Sequence, residues 1–238
     1  MRVVSALLIA VLSLCLVAGE DPSVPAPRTK EYNWMSVKRW NEMHESFLKR
    51  AKAGKIDLLF LGDSITEGWG NNAVWQKNYA PLNAANFGIG GDVTQNVLWR
   101  ITTGGELEGV SPKAVVLMIG TNNFGLHGDK EEDVVKGITT LVTTLRTKLP
   151  AAKILLLGIF PRDQKPDTHF RKKIKAVNDQ ISKLDNGKEI RYLDIGPKLL
   201  AEDGTLPKDI APDFLHLSPK GYQIWADAIN PLLAELMK

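Results

Sequence analysis

The sequence predicts an α/β domain in which a parallel sheet of about five strands is covered by helices on both faces. Three observations carry this expectation. From Asp57 onward, short apolar runs alternate with stretches of helical periodicity. Two of the runs, Ala114–Ile119 and Ile154–Gly158, are almost wholly apolar, as strands buried on both faces must be. Glycines and unusual polar residues gather just after the runs, where doubly wound sheets hold their ligands.

The elements follow in order. Met1-Arg2 precedes an apolar run, Val3 to Ala18, that ends in the small residues Ala18-Gly19. This reads as an export signal over residues 1–19, which places the protein outside the cytoplasm, secreted or periplasmic. The run is short for a membrane span, and the other reading is a retained anchor. Residues 20–30 contain three prolines and read as a linker, so the domain is expected over 31–238. Trp34, Val37, Trp40, Met43, Phe47 and Ala51 recur every three or four residues, which predicts an amphipathic helix. The expected strands are Asp57–Leu61, Ala84–Phe87, Ala114–Ile119, Ile154–Gly158 and Ile190–Leu193. Helices are expected near Val93–Thr103, Lys130–Leu149, Phe170–Leu184 and Lys220–Met237.

Composition removes several function classes. The formal net charge of +3 is mild and gives no reason to expect nucleic acid, whose binders usually carry a concentrated basic face. Cys15 is the sole cysteine and falls within the expected signal. A mature chain would have no thiol nucleophile, thiolate metal site or disulfide. Neither a P-loop nor an H-E-x-x-H motif occurs, so no metal or cofactor is expected. Gly68 to Ala73 matches G-x-G-x-x-A, but it starts several residues after the strand, and the next strand ends without an acid for a ribose.

The polar residues after the strands suit nucleophilic catalysis. Gly62-Asp63-Ser64 follows the first strand, Gly88-Ile89-Gly90-Gly91-Asp92 the second, and Gly120-Thr121-Asn122-Asn123 the third. A serine hydroxyl needs a base and oxyanion donors. Of four histidines, His44 lies in the N-terminal helix and His169 beside a basic stretch. His127, in a Gly-rich loop, and His216 remain as candidate bases. Asp213 stands three residues before His216, a spacing that lets a turn bring the carboxylate to the imidazole. The candidate oxyanion donors are the Ser64 N–H, the Gly91 N–H and the Asn122 side chain. Asp92 with Gln95 reads as a helix-capping pair, and Asp63 as a residue that holds its turn. Ile65, Thr121 and Leu215 neighbour these residues in sequence and are candidates for a pocket that favours a short acyl group. A non-catalytic glycan-binding module, using Trp69 or Trp75, is the alternative from a different class.

The four blocks, with Asp213-Phe214-Leu215-His216 last, occur in the order found in SGNH (GDSL-type) hydrolases, which this sequence resembles. The similarity runs from about Trp40 onward and is greatest to the catalytic subunits of the type Ib platelet-activating factor acetylhydrolases. It includes Val97-Leu98-Trp99-Arg100 and Leu157-Gly158-Ile159-Phe160-Pro161-Arg162. The resemblance implies a three-layer, flavodoxin-like fold and metal-free hydrolysis of small acyl esters. It implies Ser64 as nucleophile, Asp213 and His216 as acid and base, and Ser64, Gly91 and Asn122 as the oxyanion hole. Ile65 departs from the leucine of the namesake motif. The export signal departs from intracellular relatives and points to acetylated carbohydrate as the substrate, with a lysophospholipase or thioesterase activity as the alternative. Homodimers are expected from the same relatives.

Overall fold

The computed structural model describes residues 21–238 apart from Asn71. The export signal read over residues 1–19, with Cys15, lies outside the described residues. The elements run α1 (Val37–Lys52), β1 (Leu58–Gly62), α2 (Ser64–Glu67), α3 (Ala73–Asn78), β2 (Ala84–Gly88), α4 (Thr94–Ile101) and β3 (Ala114–Met118). They continue with α5 (Glu131–Lys148), β4 (Lys153–Leu157), α6 (His169–Ile181), β5 (Ile190–Leu193) and α7 (Pro219–Leu236). All five expected strands form, and all pair in parallel in the order β2-β1-β3-β4-β5.

The period of two along the strands divides the core. Leu59, Leu61, Val115, Leu117, Ile154 and Leu156 point to one face and pack against α4, α5 and α6. Leu58, Phe60, Val116, Met118, Leu155 and Leu157 point to the other and pack against α2, α3 and α7. Every residue of β1 and β3 is buried, so the continuous apolar runs reflect two covered faces. Trp69, Trp75, Tyr79 and Trp225 fill the second core around Phe60. Trp69 and Trp75 are therefore core residues and offer no face to a glycan, contrary to the alternative reading of the sequence.

The N-terminal segment also departs from expectation. α1 begins at Val37, because the Ser36 side chain caps it by accepting the Arg39 N–H, so Trp34 lies outside the helix. The stretch expected to be a linker packs on the domain instead. The Ala26 N–H donates to the Gln95 carbonyl (3.1 Å), Asn96 Nδ2 to the Ala26 carbonyl (3.0 Å), and Thr94 Oγ1 to the Pro22 carbonyl (2.8 Å). Arg28 is buried against Asp92 (3.2 Å). Prolines that suggest a spacer here shape an extended arm whose backbone groups pair with the start of α4.

Candidate active site

β1 lies between β2 and β3, so the chain leaves it in one direction for β2 and returns on its other side as β3. The segments that leave the carboxyl ends of β1 and β3 turn to opposite faces of the sheet, which opens a crevice between them. Ser64 is the first residue of α2, immediately beyond β1. Asp63 caps that helix: its Oδ1 accepts the Ile65 N–H at 3.0 Å, as expected for a turn-holding residue. Asp63 Oδ2 is buried without a hydrogen-bond partner among the described residues. Burial pushes this carboxyl up to about 7.

The turn before α7 brings an imidazole to the serine across 152 residues of sequence. Ser64 Oγ lies 2.9 Å from His216 Nε2, and His216 Nδ1 lies 2.6 Å from Asp213 Oδ2. Asp213 Oδ1 accepts the N–H groups of Leu215 (3.0 Å) and His216 (2.7 Å), so one carboxylate fixes both its own turn and the ring. Burial alone would raise the Asp213 carboxyl, but these bonds outweigh it and hold the group below its ordinary range. Phe214, between them, adopts a left-handed conformation (φ +60°) that a side chain rarely accepts. Its carbonyl accepts the Asp163 N–H at 2.9 Å, which secures the turn.

The oxyanion candidates line the same cavity, of about 460 Å³, as Ser64 and His216. Asn122 follows β3, and its Nδ2 donates to the Asp92 carbonyl at 3.1 Å. Gly91 has φ +75°, and a Cβ there would lie 2.5 Å from Trp34 Cη2. The residue is thus glycine for two reasons, backbone conformation and close approach of a ring. The neighbouring Gly90 N–H is already taken by Glu67 Oε2 (2.6 Å).

Several expectations from the sequence need correction. Leu215 lines the cavity, but Ile65 and Thr121 do not. Ile65 is buried in the second core, because one helical step from Ser64 turns a side chain about 100° away from the site. Thr121 is buried too, and its Oγ1 accepts from Arg162 Nη1 (3.3 Å). Asp92 does not cap α4, whose cap residue is Val93. Its carboxylate instead accepts from Arg28, Arg100 (2.9 Å) and Trp40 Nε1 (2.7 Å), all buried. His127 approaches Gln95 (3.4 Å) and lines a different depression, beside Asp21 and Asp129. Sequence reasoning missed Glu67, Arg162, Trp34 and Met35, which all line the cavity. Glu67 could have been found by its i+3 spacing from Ser64, and Arg162 by its place just beyond β4. Trp34 was hidden by falling in phase with the α1 stripe.

A serine, an imidazole and a carboxylate in hydrogen-bonded series, beside backbone and amide donors in a cavity, are the parts needed for acyl transfer. The model of the GDSL-like Lipase/Acylhydrolase family matches residues 60–224. The chain belongs to the GDSL-like lipase/acylhydrolase family. This GDSL-type protein is thus a carboxylic ester hydrolase. It is 38% identical to platelet-activating factor acetylhydrolase IB subunit alpha1 of Homo sapiens over 222 residues, covering 93% of this chain and 94% of the human protein. It is also 38% identical to subunit alpha2 of Rattus norvegicus, covering 84% of this chain and 86% of the rat protein. Among solved structures, a putative platelet activating factor from Streptococcus pneumonia aligns with a TM-score of 0.71 at 22% identity, covering 84% of this chain and 95% of that one. A carbohydrate acetylesterase family member from Sinorhizobium meliloti aligns at 0.57 with 16% identity, covering 77% and 99%. At these identities the two structures share the fold with this GDSL-type chain.

Proposed function

We propose that the protein is an exported serine esterase that removes short acyl groups, acetyl foremost, from carbohydrate alcohols. The observation that carries the catalytic part is the unbroken series Ser64 Oγ–His216 Nε2 (2.9 Å) and His216 Nδ1–Asp213 Oδ2 (2.6 Å) at the wall of the cavity. In this reading His216 holds its proton on Nδ1, donated to Asp213, which leaves Nε2 free to accept the Ser64 proton. The serine oxygen attacks the ester carbonyl. The N–H groups of Ser64 and Gly91 and the Asn122 amide stabilise the tetrahedral oxyanion. His216 then gives its proton to the departing alkoxide. Water, deprotonated by the same ring, attacks the acyl-serine and releases the acid.

The acetyl preference draws on the printed activity of the 38%-identical relatives, and the carbohydrate alcohol on that of the Sinorhizobium neighbour. Export draws on the apolar run and small residues before Glu20. The competing substrate is a phospholipid such as the one those relatives' name records.

The purified protein is expected to hydrolyse p-nitrophenyl acetate faster than the butyrate and octanoate esters. Ser64→Ala should lower turnover by about 10⁴-fold or more, and Asn122→Ala by about 10²–10³, both with an unchanged unfolding profile. Undiminished turnover in Ser64→Ala refutes the mechanism. Faster turnover on the octanoate ester, or on phospholipid, refutes the substrate assignment and leaves the mechanism standing.

A further inference from the structure

Of the six tryptophans, five are buried or half-buried, while Trp34 is 58% exposed. It is exposed at the cavity that holds Ser64 and His216, where its ring edge packs over Gly91. It is also held rigidly. The backbone of Tyr32 and Met35 exchanges two hydrogen bonds (3.1 and 3.0 Å), so Asn33 and Trp34 form the tip of a tight turn. Tyr32 stacks on Trp34, with ring centroids 4.8 Å apart and planes inclined by 13°. The arm that carries both rings is pinned to the loop after β2 by the buried Arg28–Asp92 pair. An exposed indole with one face covered and its backbone fixed has a rotamer already selected, so a ligand stacking on it meets little entropic cost.

We propose that Trp34 is a stacking platform for the pyranose ring of the alcohol moiety, and so a specificity-determining residue of this esterase. The inference rests on the esterase reading above. If the carbonyl oxygen sits at Gly91, a ring a few bonds from the ester reaches the indole that touches Gly91. A pyranose with equatorial hydroxyls presents C–H groups to an aromatic face, and the negative face of the indole attracts them. Glu67 and Arg162 line the same cavity and offer an acceptor and a donor for ring hydroxyls. A quaternary ammonium headgroup would also seek an aromatic face. Two cations already approach this stack, however: Arg28 Cζ lies 5.6 Å and Lys30 Nζ 5.3 Å from the Tyr32 centroid. Arg28 is paired with Asp92 and Glu67 lines the cavity, so charge alone does not choose between a cation and a neutral ring, and the binding experiment below does.

The test compares two acetyl esters, methyl 2,3,4-tri-O-acetyl-β-xylopyranoside and ethyl acetate, which has no ring to stack. Trp34→Ala is expected to lower kcat/KM on the xyloside relative to ethyl acetate by about tenfold, chiefly through KM. Trp34→Phe should keep most of that ratio. A ratio unchanged in Trp34→Ala overturns the proposal, since Trp34 would then act only as a wall. Calorimetric binding of the xyloside to Ser64→Ala, and its loss in the Ser64→Ala, Trp34→Ala double variant, gives a readout free of turnover. Binding of phosphocholine in preference to the xyloside overturns the proposal in favour of a cation site. If the unmodified protein cleaves neither ester, the esterase reading falls, and the binding experiment still decides for or against the platform.

Discussion

The Asp63 carboxyl has one oxygen on the Ile65 N–H and the other buried without a partner among the described residues. A carboxyl in the unfolded chain ionises near its ordinary value of about 3.9, whereas Asp63 in the fold holds its proton until about 7. Between those values the folded state binds the extra proton, so stability falls as pH rises through this window. The full contribution is present below about pH 4, and about 4 kcal/mol of it is lost by neutral pH. Asp63→Asn keeps the acceptor for Ile65 and cannot ionise. Urea midpoints at pH 5 and pH 7.5 should therefore lie closer together in the variant than in the parent. An equal spacing would mean that Asp63 is already ionised at pH 5. At this scale the residue types and the three-residue spacing made the hydrogen-bonded series of Ser64, His216 and Asp213 an expectation of the sequence, and the side chains do meet at 2.9 and 2.6 Å. Ile65 and Thr121 were misassigned because sequence neighbours of a reacting group turn away from it in a helix or tight turn.

α2 is only four residues long, and it is held in place from two sides. The Tyr222 hydroxyl of α7 donates to the Ile65 carbonyl at 2.8 Å. From the other side the end of β2 approaches so closely that a Cβ on Gly88 would lie 2.2 Å from the Glu67 backbone nitrogen. Backbone cannot move aside as a flexible side chain can. Gly88→Ala is therefore expected to destabilise by about 3 kcal/mol or more, seen as a lower urea midpoint. It should also lower turnover in the molecules that remain folded, because α2 carries Ser64. Retention of both properties would show that β2 and α2 can separate at little cost. The five strands were legible as apolar runs, with ends displaced by a residue or so. α2 and α3 were not, since neither is long enough to display a helical period. The arm was misread because its proline content records backbone shape and says nothing of the hydrogen bonds at Thr94, Gln95 and Asn96.

Across the whole molecule, a buried chain of charges ties the N-terminal arm and α1 to the sheet. Arg100 Nε meets Asp92 (2.9 Å), its Nη1 meets Glu106 (2.6 Å), and its Nη2 donates to the Phe87 carbonyl of β2 (3.0 Å). Arg28 and Trp40 complete Asp92, and His44 completes Glu106 at 2.7 Å. Such a cluster adds little net stability when intact, yet removing one member leaves charge buried without a partner. Arg100→Met is expected to cost about 3–5 kcal/mol, measured by urea denaturation. A loss below about 1 kcal/mol would mean that water enters the cluster and solvates what remains. The cluster was not legible in the sequence, where its members are scattered from Arg28 to Glu106 and Asp92 reads as a helix cap.

The strand order also sets a timetable. Synthesis delivers Ser64 directly after the first strand but His216 only after the fifth. A refolding chain can thus assemble its entire sheet while the serine still lacks a base. On the proposed chemistry, hydrolysis switches on late, when the turn preceding α7 docks over the crevice. The onset of ester hydrolysis during refolding therefore reports the docking of that turn, a step separate from formation of the sheet.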